Sequence, residues 1–149
     1  MKKYIAILAV ALMLLYFTLN ILSKPSEINS GIVIHINGKY RIISPEDRGY
    51  GKLKEKCLEI LKAINGQYKL GIKMDGLNSI KAHEDYVEIV FPEIITLKTN
   101  YRNIHLKGAV FVLSGKYRNT IFTYRNVIVG VWSSSRSFEK LMKIAGEYT

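Results

Sequence analysis

Residues 2–22, KKYIAILAVALMLLYFTLNIL, set two lysines before an apolar run broken only by Thr18 and Asn20. From Ile5 to Leu22 is 18 residues. At ~1.5 Å rise per residue a helix of that length reaches about 27 Å, close to the roughly 30 Å hydrocarbon core of a bilayer. A helix packed on a soluble domain keeps one polar face, and this stretch keeps none. It is expected to enter a membrane as a transmembrane helix.

A cleavable signal needs small residues at an A-x-A-like site after a shorter apolar core. The candidate here is Ile21-Leu22-Ser23, with a bulky residue at its outer position. No cysteine follows the run for lipid attachment, and the Gly/Ala-Phe start and early Glu of type IV pilin precursors are missing. An uncleaved anchor over residues 1–23 is favoured, with secretion as the outcome if the segment is cut. Lys2 and Lys3 precede the run, while Lys24 and then Glu27 follow it. That bias keeps the amino terminus in the cytoplasm and puts the rest outside.

Residues 24–30 read as a short polar linker, and residues 31–149 as one extracytoplasmic domain. The chain carries 22 bases against 12 acids, a formal +10. Without Lys2 and Lys3 the remainder is at about +8, which suits anionic surroundings such as lipid headgroups or acidic polymers. The bases are scattered and never form a run of five, as on an ordinary solvated surface. With Cys57 as the single cysteine, no internal disulfide can form, and stability must come from the core.

GIVIHI and KYRIIS flank Asn37-Gly38, a strong hairpin pattern. It puts Ile32, Ile34 and Ile36 on one face and Val33 and His35 on the other. Ser44, Pro45 and Asp47 suit a helix start, with regular helix from near Tyr50. Leu53, Cys57, Leu58, Leu61 and Ile64 follow at helical spacing, and Asn65-Gly66 is expected to end the helix in the left-handed conformation. QYKLGIKM reads as a strand broken by Asp75-Gly76, and LNSIKAHED as one short helical turn. YVEIVF and EIITLKT form a strand with a bulge or edge at Pro92. HLKGAVFVLS and NTIFTYR make a hairpin around Gly115-Lys116-Tyr117, and NVIVGVW is a further strand. SSSRSFEKLMKIAGEYT closes the chain as a helix burying Phe138, Leu141, Met142 and Ala145. The expectation is an α+β fold, with a mostly antiparallel sheet and two helices on one face in two layers.

NGKYR (37–41) returns as NGQYK (65–69) and SGKYR (114–118), at spacings of 28 and 49 residues that fit no solenoid period. Five tyrosines, at 40, 68, 101, 117 and 124, precede Arg or Lys. One reading makes Tyr40-Arg41, Tyr101-Arg102, Tyr117-Arg118 and Tyr124-Arg125 a basic-aromatic surface for an anionic polymer or nucleic acid. The favoured reading is turn-then-strand chemistry, because strand neighbours point to opposite faces.

His35, His83 and His105 lack metal-site spacing, and no metal or other cofactor is expected. Cys57 falls on an apolar stripe, as a small core residue does. GYGK at 49–52 resembles the end of a phosphate loop, but Glu46 and Leu53 stand where Gly and Ser/Thr are needed. Ser135, Arg136 and Ser137 would form an anion site if a serine capped the last helix; a plain polar loop explains them as well. The best reading is a single-pass anchored protein that binds or scaffolds an unidentified protein or anionic surface partner without catalysis. Its rivals are a binder of anionic polymer, nucleic acid being the less favoured ligand, and a hydrolase with an unrecognised site.

Overall fold

The computed structural model describes residues 9–15 and 28–149. Residues 9–15 are helical. Among the described residues no helix is long and apolar enough to cross a membrane. Of the expected span Ile5–Leu22 only residues 9–15 are described, and the rest of it, with linker residues 24–27, lies outside the described residues.

The domain is α+β around a seven-stranded, wholly antiparallel sheet, in the order β2-β1-β4-β5-β6-β7-β3. Strands β1 (Gly31–Ile36) and β2 (Lys39–Ile43) form the expected hairpin. Asn37 and Gly38 take φ of 52° and 73°, as a two-residue turn of the primed type requires. Before helix α1 (Tyr50–Lys62), the Asp47 carboxylate accepts the Ser44 N–H at 2.7 Å. This closes a separate turn, and the helix N-cap is Gly49, without a side-chain cap. Leu53, Cys57, Ile60 and Leu61 are its buried stripe, each aliphatic side chain contributing about 1.5–3 kcal/mol by leaving water.

The carboxyl end of α1 departs from expectation. The helix stops at Lys62, and Gly66 is not left-handed. Instead Ile64–Gln67 form edge strand β3, paired with β7. A Cβ at Gly66 would sit 2.8 Å from the Ser133 Oγ, so a side chain there would make that hydroxyl move. QYKLGIKM is therefore no strand of its own; past Gln67 only Tyr68 N–H still bonds the sheet, donating to Val131 O at 2.8 Å.

Asp75-Gly76 does not break the chain either. Both lie inside helix α2 (Met74–His83), where the expected single turn is ten residues long. Asp75 in the first turn and Lys81 and His83 in the last match the helix dipole. Leu77 and Ile80 bury against Val33, Val110, Val112, Phe122 and Val131. Helix α1 and helix α3 (Glu139–Gly146) cover the opposite face, against Ile32, Ile34, Val87, Ile89 and Phe111. The domain thus has three layers rather than two. On α3, Phe138, Leu141 and Ala145 are buried, but Met142 is 39% exposed. Ile144 is packed against the core in its place.

Strands β4 (Tyr86–Lys98) and β5 (Asn103–Val112) are the long central pair. Their register shifts between Val90 and Ile95, around Pro92, where the missing N–H of proline suits a break in the ladder. Lys107 Nζ donates to the Pro92 carbonyl at this bulge. Beyond it the pair continues as a two-stranded arm. β5 meets β6 (Ile121–Tyr124) only from Gly108 to Phe111, so Asn103–Lys107 has no strand on its second side among the described residues. β6 then turns back into β7 (Ile128–Ser134).

Candidate functional site

The arm's tip is held by Thr99. Its Oγ1 accepts the N–H groups of Tyr101 and Arg102, each at 3.1 Å, and donates to Arg102 O at 2.7 Å. Asn100 N–H donates to Lys62 O at 3.0 Å, tying the tip to the end of α1. These bonds fold Tyr101 and Arg102 over Trp132. The Arg102 guanidinium lies 5.0 Å from the Trp132 ring and 6.0 Å from that of Tyr101. The two rings meet edge to face at 6.1 Å.

Trp132 is itself fixed from beneath. Its Nε1–H donates to Thr123 Oγ1 at 2.7 Å, and its ring occupies the space a side chain at Gly130 would need. Between the open edge of β5 and the β6–β7 turn lies a cleft of about 250 Å³, lined by Arg102, Asn103, Ile104, His105, Arg125, Val129 and Trp132. His105 Nδ1 is 2.8 Å from Thr96 Oγ1, which orients the imidazole. Arg125 belongs to the β6–β7 turn, where its N–H donates to Val127 O at 3.0 Å. Neither Arg102 nor Arg125 has a carboxylate within ion-pair distance among the described residues. A cleft lined by two arginines without acid partners is chemically suited to an oxyanion.

The Tyr-Arg pairs do not share one surface. Arg41 Nη1 donates to Tyr148 O at 3.2 Å, tying down the carboxyl-terminal tail, while Tyr40 lies opposite His35 in the β1–β2 ladder. Tyr117 packs edge to face on Phe122 at 6.1 Å, and Arg118 is in the β5–β6 connection, at the other end of the sheet. Tyr124 turns inward across Gly108 and Arg125 outward into the cleft. Of these arginines, Arg102 and Arg125 line the same cleft. Turn-then-strand chemistry holds at Tyr40, but Tyr68 follows a strand and Tyr117 stays in a loop.

The serine cluster serves helix α1. Ser134 Oγ donates to Ile60 O at 2.8 Å, Ser135 Oγ to Ala63 O at 3.3 Å and Ser135 N–H to Ala63 O at 3.1 Å. These hydroxyls satisfy carbonyls that a helix end leaves open. Ser137 Oγ accepts the Glu139 N–H at 3.2 Å, and Arg136 Nε lies 3.8 Å from Glu59. Lys56, with a smaller contribution from Arg136, holds the exposed Glu59 carboxyl below the usual range.

A second polar constellation sits under α2. Glu88 is 6% exposed. Its carboxylate accepts Tyr124 O–H at 2.6 Å and pairs with Lys81 Nζ at 2.5 Å. Burial first, then the charge of Glu88, pushes the hydroxyls of Tyr124 and Tyr86 well above their ordinary range. Burial likewise pushes the Cys57 thiol up, away from thiolate chemistry.

The three histidines stand apart. His35 Nδ1–H donates to Glu84 O at 2.9 Å and His83 Nδ1–H to Ser79 O at 2.8 Å. Among the described residues no group of three His, Cys, Asp or Glu side chains could hold a metal ion. Trp132 and Asn103 escaped the sequence reading, and His105 was weighed only as a metal ligand, since no local pattern joins a strand tryptophan to a turn thirty residues earlier. Comparison with family models, with characterised proteins and with solved structures returns no match.

Proposed function

We propose that this chain is a single-pass membrane protein, anchored by residues 1–23 through the linker 24–30. Its basic domain, residues 31–149, stands outside the cytoplasm and binds a surface partner without catalysing a reaction. The observation that carries this reading is the apolar run Ile5–Leu22, broken only by Thr18 and Asn20, behind Lys2 and Lys3. The binding half is supported by the paired arginines of the cleft. That arrangement also favours an anionic ligand over an uncharged one. A hydrolase finds less support, because the groups whose pKa values are pushed furthest, Cys57, Tyr86 and Tyr124, lie in packed interior rather than in a cleft.

Fractionation of cells making the full chain tests the anchor. The intact polypeptide should stay with membranes through high-salt and alkaline washes and leave them only in detergent. Protease added to intact cells should digest the domain. Recovery of the uncut chain from the detergent-free soluble fraction would contradict the proposal.

A further inference from the structure

We infer that the cleft between the β4–β5 arm and the β6–β7 turn is a binding site for a phosphate group, a monoester or pyrophosphate end, gripped by Arg102 and Arg125. This names the ligand class of the surface-binding reading above and rests on that reading only for the ligand's place beside a membrane.

Three features converge on the site. Arg102 is pre-positioned, stacked 5.0 Å from Trp132 by a turn whose backbone is pinned to Thr99. A guanidinium held by rings keeps its N–H fork free for an acceptor. Arg125 faces the same cleft from a different hairpin, again with no acid partner among the described residues. Two arginines without acid partners lining one small cleft give it a positive potential, which a multiply charged anion neutralises.

Size and polarity narrow the ligand. At about 250 Å³ the cleft falls below the roughly 300–1,000 Å³ of whole-ligand pockets, so it suits an anionic group rather than an entire molecule. A carboxylate carries one charge and is satisfied by one fork, whereas a tetrahedral phosphate accepts from two directions at once. Asn103 and His105 add polar groups on the β5 edge, which no strand covers among the described residues. The exposed ring of Tyr101 stands at the rim, half of its surface open. The phosphate can be borne by a lipid headgroup or by a soluble molecule, and the same chemistry serves both.

Trp132 is the chain's only tryptophan and touches the proposed ligand-binding guanidinium, so its emission reports occupancy. The test titrates pyrophosphate into the full chain in non-ionic detergent at constant ionic strength, with potassium chloride as control. A saturable change in Trp132 emission is expected with pyrophosphate and none with chloride. Arg125→Ala and Arg102→Lys should each weaken the apparent affinity at least about tenfold, as loss of a charge-assisted contact implies, with the melting temperature held. Phosphatidic acid added in phosphatidylcholine nanodiscs separates the sources. Displacement of pyrophosphate supports a headgroup ligand, and absence of displacement supports a soluble one.

No saturable change, or equal affinity in the wild-type chain and both variants, would overturn the site and point to diffuse charge. Because the readout needs no anchoring, a chain that binds pyrophosphate yet fractionates as soluble removes the membrane reading and leaves the cleft.

Discussion

Lys81 and Arg102 both lie against aromatic rings, at 5.4 Å from Tyr86 and 5.0 Å from Trp132, but their charges meet different fates. Lys81 is paired with the buried carboxylate of Glu88 at 2.5 Å, and Tyr124 completes that carboxylate. Arg102 stacks on the rings of Trp132 and Tyr101, has no carboxylate within ion-pair distance among the described residues, and lines its cleft together with Arg125. The first arrangement is closed: every polar atom is satisfied inside the fold, and removing one leaves another orphaned. The second is open, since its geometry is fixed by the fold while its charge is balanced only from outside. Charge built into the interior serves stability, whereas charge held at the rim by stacking is, on the proposal above, left for a ligand.

The dry face opposite sets the scale for perturbing either region. Leu141 is fully buried between α3 and the sheet. Leu141→Asp should cost about 4 kcal/mol or more by burying an unpaired charge, read as loss of the cooperative melting transition. Next in size, Glu88→Ala should cost about 3 kcal/mol, because Lys81 and Tyr124 then face each other without an acceptor. Replacing all three groups together, as Glu88→Met, Lys81→Met and Tyr124→Phe, should cost less than Glu88→Ala alone. Chemical denaturation of both variants checks the order, and the reverse order would show that the network is not closed in the sense described.

Tyr124→Phe is expected to cost about 1.5 kcal/mol through one lost hydrogen bond to a charged acceptor. It also carries a pH signature. The Tyr124 pKa is raised in the folded state, by burial and then by Glu88. Its contribution is therefore complete below the unfolded value of about 10 and falls away as the pH rises beyond it. Melting temperatures of the wild-type chain should decline above about pH 10, and the decline should be shallower in Tyr124→Phe, with Tyr86 supplying the remainder. Smallest of all, Arg125→Ala should change stability by less than about 0.5 kcal/mol, and Arg102→Ala by less than about 1 kcal/mol through its lost stacking. A cleft arginine that proved as costly as Glu88 would erase the distinction between the two regions.

Much of the fold was legible. The Asn37-Gly38 hairpin, the bulge at Pro92 and the strand content of residues 86–134 follow from alternation and turn residues. The third layer departs from the two-layer expectation, although two strands carry a signal for it. YVEIVF and GAVFVL are apolar almost without alternation, which an antiparallel strand needs only when both of its faces are covered. That pattern called for a helix over the second face, which Leu77 and Ile80 supply from a segment containing Asp75-Gly76. Local turn propensity there yields to burial of two large side chains. The helix end at Lys62 was hidden for a related reason, because its open carbonyls are met by serines seventy residues later.

The candidate site was half visible. Arg102 and Arg125 stood among the Tyr-Arg pairs, but nothing local distinguishes them from Arg41 and Arg118. What selects them is the length mismatch between β5 and β6, which opens the edge at Asn103–Lys107, and the fold of the arm onto Trp132. Both are long-range properties of the register.

The most direct test is amide and indole NMR of the full chain in detergent micelles as pyrophosphate is added. Saturable shifts should be concentrated at Arg102, Asn103, His105, Arg125, Val129 and the Trp132 indole N–H, leaving Arg41, Arg118 and the Glu88 network still. Shifts spread evenly over the basic surface, or strongest around Arg41 and Arg118, would contradict the assignment of the open charge to this cleft.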